Sequence, residues 1–254
     1  MDRPEWGAVN HRNGEVYFAL TNNSAVKRTP ALVNAANPRA YRDPDGKKRS
    51  GNPNGHIIRF RENGLIARDN GFSWDIFLFG AEEDQPQVNL SGLSANNAFS
   101  SPDGVWFSRA TGICWIQTDD GAMTDETNCM MLAAIPGEVN DGGKMTVSNI
   151  MQVGNDLTQS QQETFVGATL GEARLRRFLV APKGAEVTGL TESADGKTLF
   201  VNIQHPGEKT PSLGQAEQFA LESAWPGNQG YGKPGRPRSA TIMIQREDGG
   251  VVGL

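Results

Sequence analysis

The chain has 254 residues and a net charge of −5, with 37% hydrophobic and 21% charged residues. That length suits one large domain or two smaller ones, since domains run roughly 100–200 residues and all-β barrels reach about 250. No apolar run approaches the ~20 residues of a membrane helix, a net negative charge without a basic block argues against a nucleic-acid module, and 2 Cys cannot build a disulfide scaffold or a Cys-rich zinc site.

The N-terminus, Met1-Asp2-Arg3-Pro4-Glu5-Trp6, lacks the basic-then-apolar pattern of a signal peptide. Strand-like runs then follow one another. Val16 to Thr21 lies between Asn13-Gly14 and Asn22-Asn23. His56 to Arg61, Trp74 to Phe79, Val105 to Ser108, Ile113 to Thr118 and Cys129 to Ala134 come next. Arg174 to Val180, Val187 to Thr191, Thr198 to Gln204 and Ala240 to Gln245 complete the series. These runs are short, rich in β-branched and aromatic residues, and punctuated by Gly, Asp, Asn and Pro, which predicts an all-β domain. The best helical pattern, Gln215 to Ala224, is weak. The 30 Gly and 14 Pro read as many tight turns, since the excess stops short of the ~25–30% that marks disorder.

A weak repeat runs through the chain. Asn13-Gly14, Thr111-Gly112 and Asp195-Gly196 each precede an apolar strand that ends in polar residues. Their spacing is close to two units of the ~40–50 residues of a propeller blade. Pro102-Asp103-Gly104 reads as a turn, and with Thr111-Gly112 it brackets a short strand, predicting a hairpin. Radially stacked hairpins make a propeller. Residues 34–54 and 209–238 read as loop insertions; the first carries the basic cluster Lys47-Lys48-Arg49, expected at a solvated loop tip.

No nucleophile elbow, phosphate-cradling Gly loop or zinc-binding helix is present. His11, His56 and His205 are far apart in sequence and read as ordinary hydrogen-bonding residues, with His205 starting a loop. The suggestive groups are carboxylates at strand ends: Glu5, Asp103, Asp119, Asp120 and Glu186. Oxygen-rich sites favour hard cations such as Ca²⁺, which takes six to eight oxygen ligands. Each carboxylate alone is also an ordinary turn or surface residue. Cys114 and Cys129 lie on candidate strands, either as a disulfide pair or as two small core residues.

Arg3-Pro4-Glu5-Trp6, Gly14-Glu15-Val16-Tyr17 and Leu20-Thr21-Asn22-Asn23 resemble the PhoX-type alkaline phosphatases. So do Ala36-Asn37-Pro38-Arg39-Ala40, Gly55-His56-Ile57-Ile58-Arg59, Ser101-Pro102-Asp103-Gly104-Val105-Trp106-Phe107 and Trp115-Ile116-Gln117-Thr118-Asp119. Gly184-Ala185-Glu186-Val187-Thr188-Gly189 and Phe200 through Glu208 extend the likeness over nearly the whole chain. The resemblance implies a bacterial phosphomonoesterase exported to the periplasm or medium by the twin-arginine route, with a Ca²⁺ and Fe³⁺ cluster in a propeller channel. It implies Glu5 as a shared metal ligand, Arg3 as the phosphate-gripping group, and Asp103, Asp119 and Glu186 as further metal ligands. It implies attack by a metal-bridging oxo or hydroxo group on small phosphomonoesters, with no Ser or Cys nucleophile. In the family these motifs lie in the C-terminal portion of a longer chain, whose upstream part carries the export signal and the metal-binding Cys; neither Cys114 nor Cys129 stands in that context. The expectation is therefore about three blades of antiparallel strands, residues 1–254 forming the C-terminal portion of a β-propeller, with open sheet edges able to self-associate. The alternative is a non-catalytic Ca²⁺-binding or structural propeller fragment, or a metal-free scaffold.

Overall fold

Three turns set the architecture. The loop after β1 (Pro4–Val9) closes with Asn10 N–H donating to Glu15 O at 2.8 Å, and leads into β2 (Val16–Leu20). The loop between β7 (Pro102–Phe107) and β8 (Cys114–Thr118) closes in the same way, Ser108 N–H to Ile113 O at 2.9 Å. Between β13 (Glu186–Glu192) and β14 (Thr198–Gln204) the pair is Ser193 N–H to Thr198 O, also 2.9 Å. The glycine of each repeat unit, Gly14, Gly112 or Gly196, holds φ of +75°, +75° or +70° in that turn. A side chain there would be strained, so glycine is the residue that lets the chain reverse.

The computed structural model describes residues 1–23, 28–43, 49–64, 71–211, 221–227 and 235–254. Among them the structure is nearly all β, and each of the three hairpins opens one antiparallel sheet. The first sheet runs β1-β2-β5-β6, with β5 at His56–Glu62 and β6 at Phe72–Phe79. The second runs β7-β8-β9-β12, with β9 at Met130–Ala134 and β12 at Leu175–Val180. The third is β13-β14-β15, with β15 at Ala240–Gln245. No described sheet closes on itself. The repeat therefore marks one sheet per interval, not two units: the surplus length lies in excursions from each sheet.

Those excursions are the short ribbon β3 (Tyr41–Arg42) with β4 (Ser50–Gly51), the irregular stretch 80–101, and a long hairpin, β10 (Lys144–Val153) with β11 (Asp156–Phe165). The long hairpin has no strand-like signal because β11, Asp-Leu-Thr-Gln-Ser-Gln-Gln-Glu-Thr-Phe, is mostly polar and exposed. It is fastened by a buried Asn149, whose Nδ2 donates to Pro38 O (2.9 Å) and whose Oδ1 accepts from Ala40 N–H (2.6 Å). The expected strand Arg174 to Val180 begins with one short helical turn, α1 (Gly171–Arg174). Most of the expected helix 215–224 lies outside the described residues, as do Lys47 and Lys48; residues 221–224 are not helical. No described helix is long and apolar enough to cross a membrane.

Sheet two is buried on both faces. Along β8, Cys114 and Ile116 join Tyr17, Phe77, Phe107 and Leu132 in one core, while Trp115 joins Met131, Val187, Leu199, Val201 and Ile203 in another. Side chains alternate between the two faces, so a strand covered on both sides reads as a continuous apolar run. This packing sets β1 against β7 and β7 against β13. The three sheets thus meet along their first strands. Ile116→Ala should lower stability by about 2–5 kcal/mol, because a fully buried side chain leaves a cavity. Gln159→Ala on the exposed face of β11 should change it by less than about 0.5 kcal/mol. Urea unfolding of the two variants, compared by midpoint at constant m-value, checks this.

Candidate active site

The meeting of first strands gathers the carboxylates. Glu5 is the second residue of β1, Asp103 the second of β7 and Glu186 the first of β13; Asp119 follows β8 directly. Arg3 stands just before β1, with Nε 3.8 Å from Glu5 Oε1. Arg3, Glu5 and Asp119 are solvent-exposed, Glu186 is buried and Asp103 is half-buried.

Asp103 does not occupy a turn, contrary to the sequence reading of Pro102-Asp103-Gly104. It lies inside β7, where the register against β8 slips between Pro102 and Val105. A bulge of this kind re-aims a side chain. Gly104 permits it, since a Cβ there would collide with the Gln117 side chain.

Burial pushes the Asp103 carboxyl up to about 7, and the negative charges of Glu5, Glu186 and Asp119 push in the same direction, against a smaller opposing effect of Arg3. Glu186 is also raised, first by burial and then by Asp119, although it shares a hydrogen bond with Asp103. Two carboxyls that share a proton do so because both cannot ionise cheaply at close range. Glu186 is held from its other side by Gln204 Nε2 (2.9 Å) and by His205, whose Nε2 is 3.4 Å from Glu186 Oε2. His205 holds a left-handed φ of +37°, and its N–H donates to Ser239 Oγ at 2.9 Å. The sequence reading undervalued His205; its signal was its place at the end of a strand, directly after Gln204.

Beside this group lies a cleft of about 210 Å³ that includes Asp119, His205, Lys183, Lys209 and Glu222. Arg49, from the basic cluster, reaches the same rim: its guanidinium lies close over Gly121. Asp120 points away from Asp119's role. Its carboxylate caps the following turn by accepting from Ala122 N–H (2.7 Å) and Met123 N–H (3.0 Å), and burial raises it. The two cysteines are free and buried, so they form no disulfide. Burial pushes Cys129 up to about 12 and raises Cys114 as well, which favours the thiol form of both.

As a donor set, these residues suit a hard cation. They offer carboxylate oxygens, and burial together with the anionic neighbours favours the protonated form of Asp103. A cation would take the place of that proton. The carboxylates are neighbours without being an assembled cage: among the described residues no three His, Cys, Asp or Glu side chains already stand where one ion could bind them all.

Oxygen donors gathered where three antiparallel sheets meet, with Arg3 beside them, define a mostly β protein with an acidic sheet junction. The chain matches the alkaline phosphatase PhoX family over residues 1–207, and it belongs to that family. It is similar to the solved structure of Pseudomonas fluorescens PhoX in complex with vanadate, a transition state analogue, at 32% identity and a TM-score of 0.61. That likeness covers 100% of this chain and 35% of the other, so the chain spans about a third of that relative's length. No curated protein matches it.

The proton shared at Asp103 has a measurable consequence. Asp103 titrates at about 7 in the folded chain against an ordinary 3.8, so the folded state binds the extra proton between those values. The Asp103 contribution to stability should therefore fall as pH rises from about 4 to about 7, while buried His56, held down at about 4 against an ordinary 6.5, contributes in the opposite direction over the lower part of that range. Melting temperature against pH, compared between wild type and Asp103→Asn in chelator, isolates the Asp103 slope. Asp103→Asn should lose that fall, with Glu186 supplying the remainder.

Proposed function

We propose that the chain is the C-terminal part of a metal-dependent phosphomonoesterase, and that Arg3, Glu5, Asp103, Asp119 and Glu186 are its share of the active site. The observation that carries this reading is the proton-sharing carboxylate group at the junction of β1, β7 and β13, beside an arginine, in a member of the PhoX family. Supporting it, the similar Pseudomonas protein is described with vanadate, a phosphoryl transition-state analogue.

In this reading Glu5, Asp103, Asp119 and Glu186 would hold the cations, Ca²⁺ and Fe³⁺ by family likeness. Bound there, the cations would polarise the phosphoryl oxygens and generate the nucleophile from water at neutral pH. Arg3 presents a planar guanidinium to the phosphate and stabilises charge on its equatorial oxygens. Arg3 lies beside Glu5, and both act electrostatically on Asp103, so the substrate phosphate would be bound next to the cation site. His205 and Gln204 hold the Glu186 carboxylate in one orientation. The cleft beside Asp119 admits the leaving group of a small phosphomonoester.

The three sheets are read as successive blades of a β-propeller whose first strands line the channel, with residues 34–54 and 209–238 as insertions. Its other blades belong to the part of the protein outside this chain, and export to the periplasm or medium follows from the family. The sheet edge at β15 offers unpaired backbone groups through which the chain alone would self-associate. A second reading, a structural or Ca²⁺-binding module without turnover, rests on the carboxylates standing apart when metal-free.

The full-length protein purified with its metals should hydrolyse an aryl phosphate, and chelator should abolish this. Glu5→Ala should reduce turnover to background. Arg3→Lys should raise KM or lower kcat/KM by about tenfold or more, since Lys keeps the charge but loses the fork, and tenfold corresponds to about 1.4 kcal/mol. Activity of the wild type no greater than that of Glu5→Ala overturns the proposal. Calcium raising the Tm of the chain without any turnover by the full-length protein favours the second reading.

A further inference from the structure

A buried polar knot lies directly behind the residues assigned to phosphate and metal. Asp2 is wholly buried, although the next residue, Arg3, is exposed. The Asp2 carboxylate accepts from both terminal nitrogens of Arg28, Nη1 at 3.2 Å and Nη2 in closer contact, and from Asn52 Nδ2 at 2.6 Å. The Asp2 N–H donates to Asn37 Oδ1 at 2.8 Å, and Arg28 Nη2 donates to the same oxygen at 3.2 Å. His56 completes the shell. Its Nδ1 faces Asn52 Nδ2 at 3.1 Å, and its Nε2 lies 2.9 Å from Ala36 O. Burial holds His56 down at about 4, so the ring is neutral, accepting from Asn52 and donating to Ala36. Burial alone would raise Asp2, but the Arg28 charge and the hydrogen bonds from Asn52 and Arg28 hold it below the usual carboxylate range. The ion pair therefore stands at neutral pH.

Such a knot is not needed to stabilise a core, because buried ion pairs repay their desolvation poorly. Its position is informative. On the far side of Arg3, the ladder to β2 is irregular. Arg3 O accepts from Thr21 N–H at 2.9 Å, but the register then slips between Pro4 and Gly7, across Glu5. The segment that carries Glu5 is thus loosely paired, and the side chains of Arg3 and Glu5 are exposed. Upstream of the slip the segment is held by the backbone of Arg3, whose N–H also donates to Asn22 O at 3.2 Å, and by the buried side chain of Asp2. The knot also collects Asn37 and His56, two residues of the recurring motifs that the proposed mechanism leaves without a role.

We infer that Asp2 is a positioning residue, whose buried clamp by Arg28, Asn52 and Asn37 fixes where Arg3 and Glu5 stand relative to the substrate phosphate. The inference rests on the proposed phosphomonoesterase reading. Small displacements of binding groups are costly to catalysis, up to about 100-fold for roughly 1 Å.

The test uses Asp2→Asn in the full-length, metal-loaded protein, with Asp75→Asn as a matched control. Asp75 forms a comparable buried pair with Arg59, at 2.8 and 2.9 Å, without touching Arg3 or Glu5. Both variants should lose Tm. Only Asp2→Asn should lower kcat/KM for an aryl phosphate by about tenfold or more and weaken inhibition by vanadate to a similar degree; Asp75→Asn should leave both within about twofold of wild type. Should Asp2→Asn not fold, Asn52→Ala removes one hydrogen bond from the same carboxylate and is judged by the same criteria. Equal kinetic effects in the knot variant and the control, or none in either, overturn the inference while the phosphatase reading stands. An inactive wild type overturns both.

Discussion

Everything in this structure depends on the burial of sheet two on both faces. Trp115 and Met131 point to one side and Ile116 and Leu132 to the other, so sheet two can only be satisfied by a sheet against each face. Apolar burial is non-directional, yet a strand's alternating side chains give it direction. The consequence is that β1, β7 and β13 come side by side. Their polar ends then meet as well, and four carboxylates from distant parts of the chain become neighbours.

That meeting is unfavourable in itself. Burial first, and then the charges of Glu5, Glu186 and Asp119, push the Asp103 carboxyl up to about 7. A core built for stability alone would avoid such crowding, because like charges in a half-buried place cost free energy. The apolar cores carry that cost, and a bound cation would remove it. Two kinds of physics oppose each other here: hydrophobic burial assembles the sheets, and electrostatic repulsion crowds the carboxylates at their junction. Perturbed carboxylates gathered at one place are how functional sites are commonly recognised.

The same division appears around the N-terminal segment. Asp2 and Arg28 form an enclosed ion pair three residues before exposed Glu5 and beside exposed Arg3. A firm anchor next to a loosely paired strand end is the arrangement expected where a chain must present side chains accurately to solvent. The β10–β11 hairpin shows another use of a buried polar group: Asn149 satisfies the backbone of residues 38 and 40, and so joins an exposed ribbon to the segment that precedes β3.

Sequence by itself determined most strands of the three sheets and the turns that open them, but not β1, Pro4–Val9, whose residues read as lying ahead of the first strand. Val16–Leu20, Thr198–Gln204 and Ala240–Gln245 were legible because short β-branched runs between Gly, Asn and Asp have few other solutions. The three repeat glycines marked the hairpin that opens each sheet, and the recurring motifs carried the family. What only the tertiary structure decided was everything that depends on long-range pairing. The polar strand Asp156–Phe165 carries no local apolar signal, since its partner Lys144–Val153 supplies the buried side chains. Asp103 reads as a turn residue in Pro-Asp-Gly, yet the ladder to β8 draws it into a bulged strand. His205 and Asp2 looked ordinary because their significance lies in Glu186 and Arg28, which are remote or unremarkable in sequence and adjacent only when folded. Local chemistry is written residue by residue, whereas the potential at a carboxylate is a sum over space, and that sum exists only once the sheets have packed.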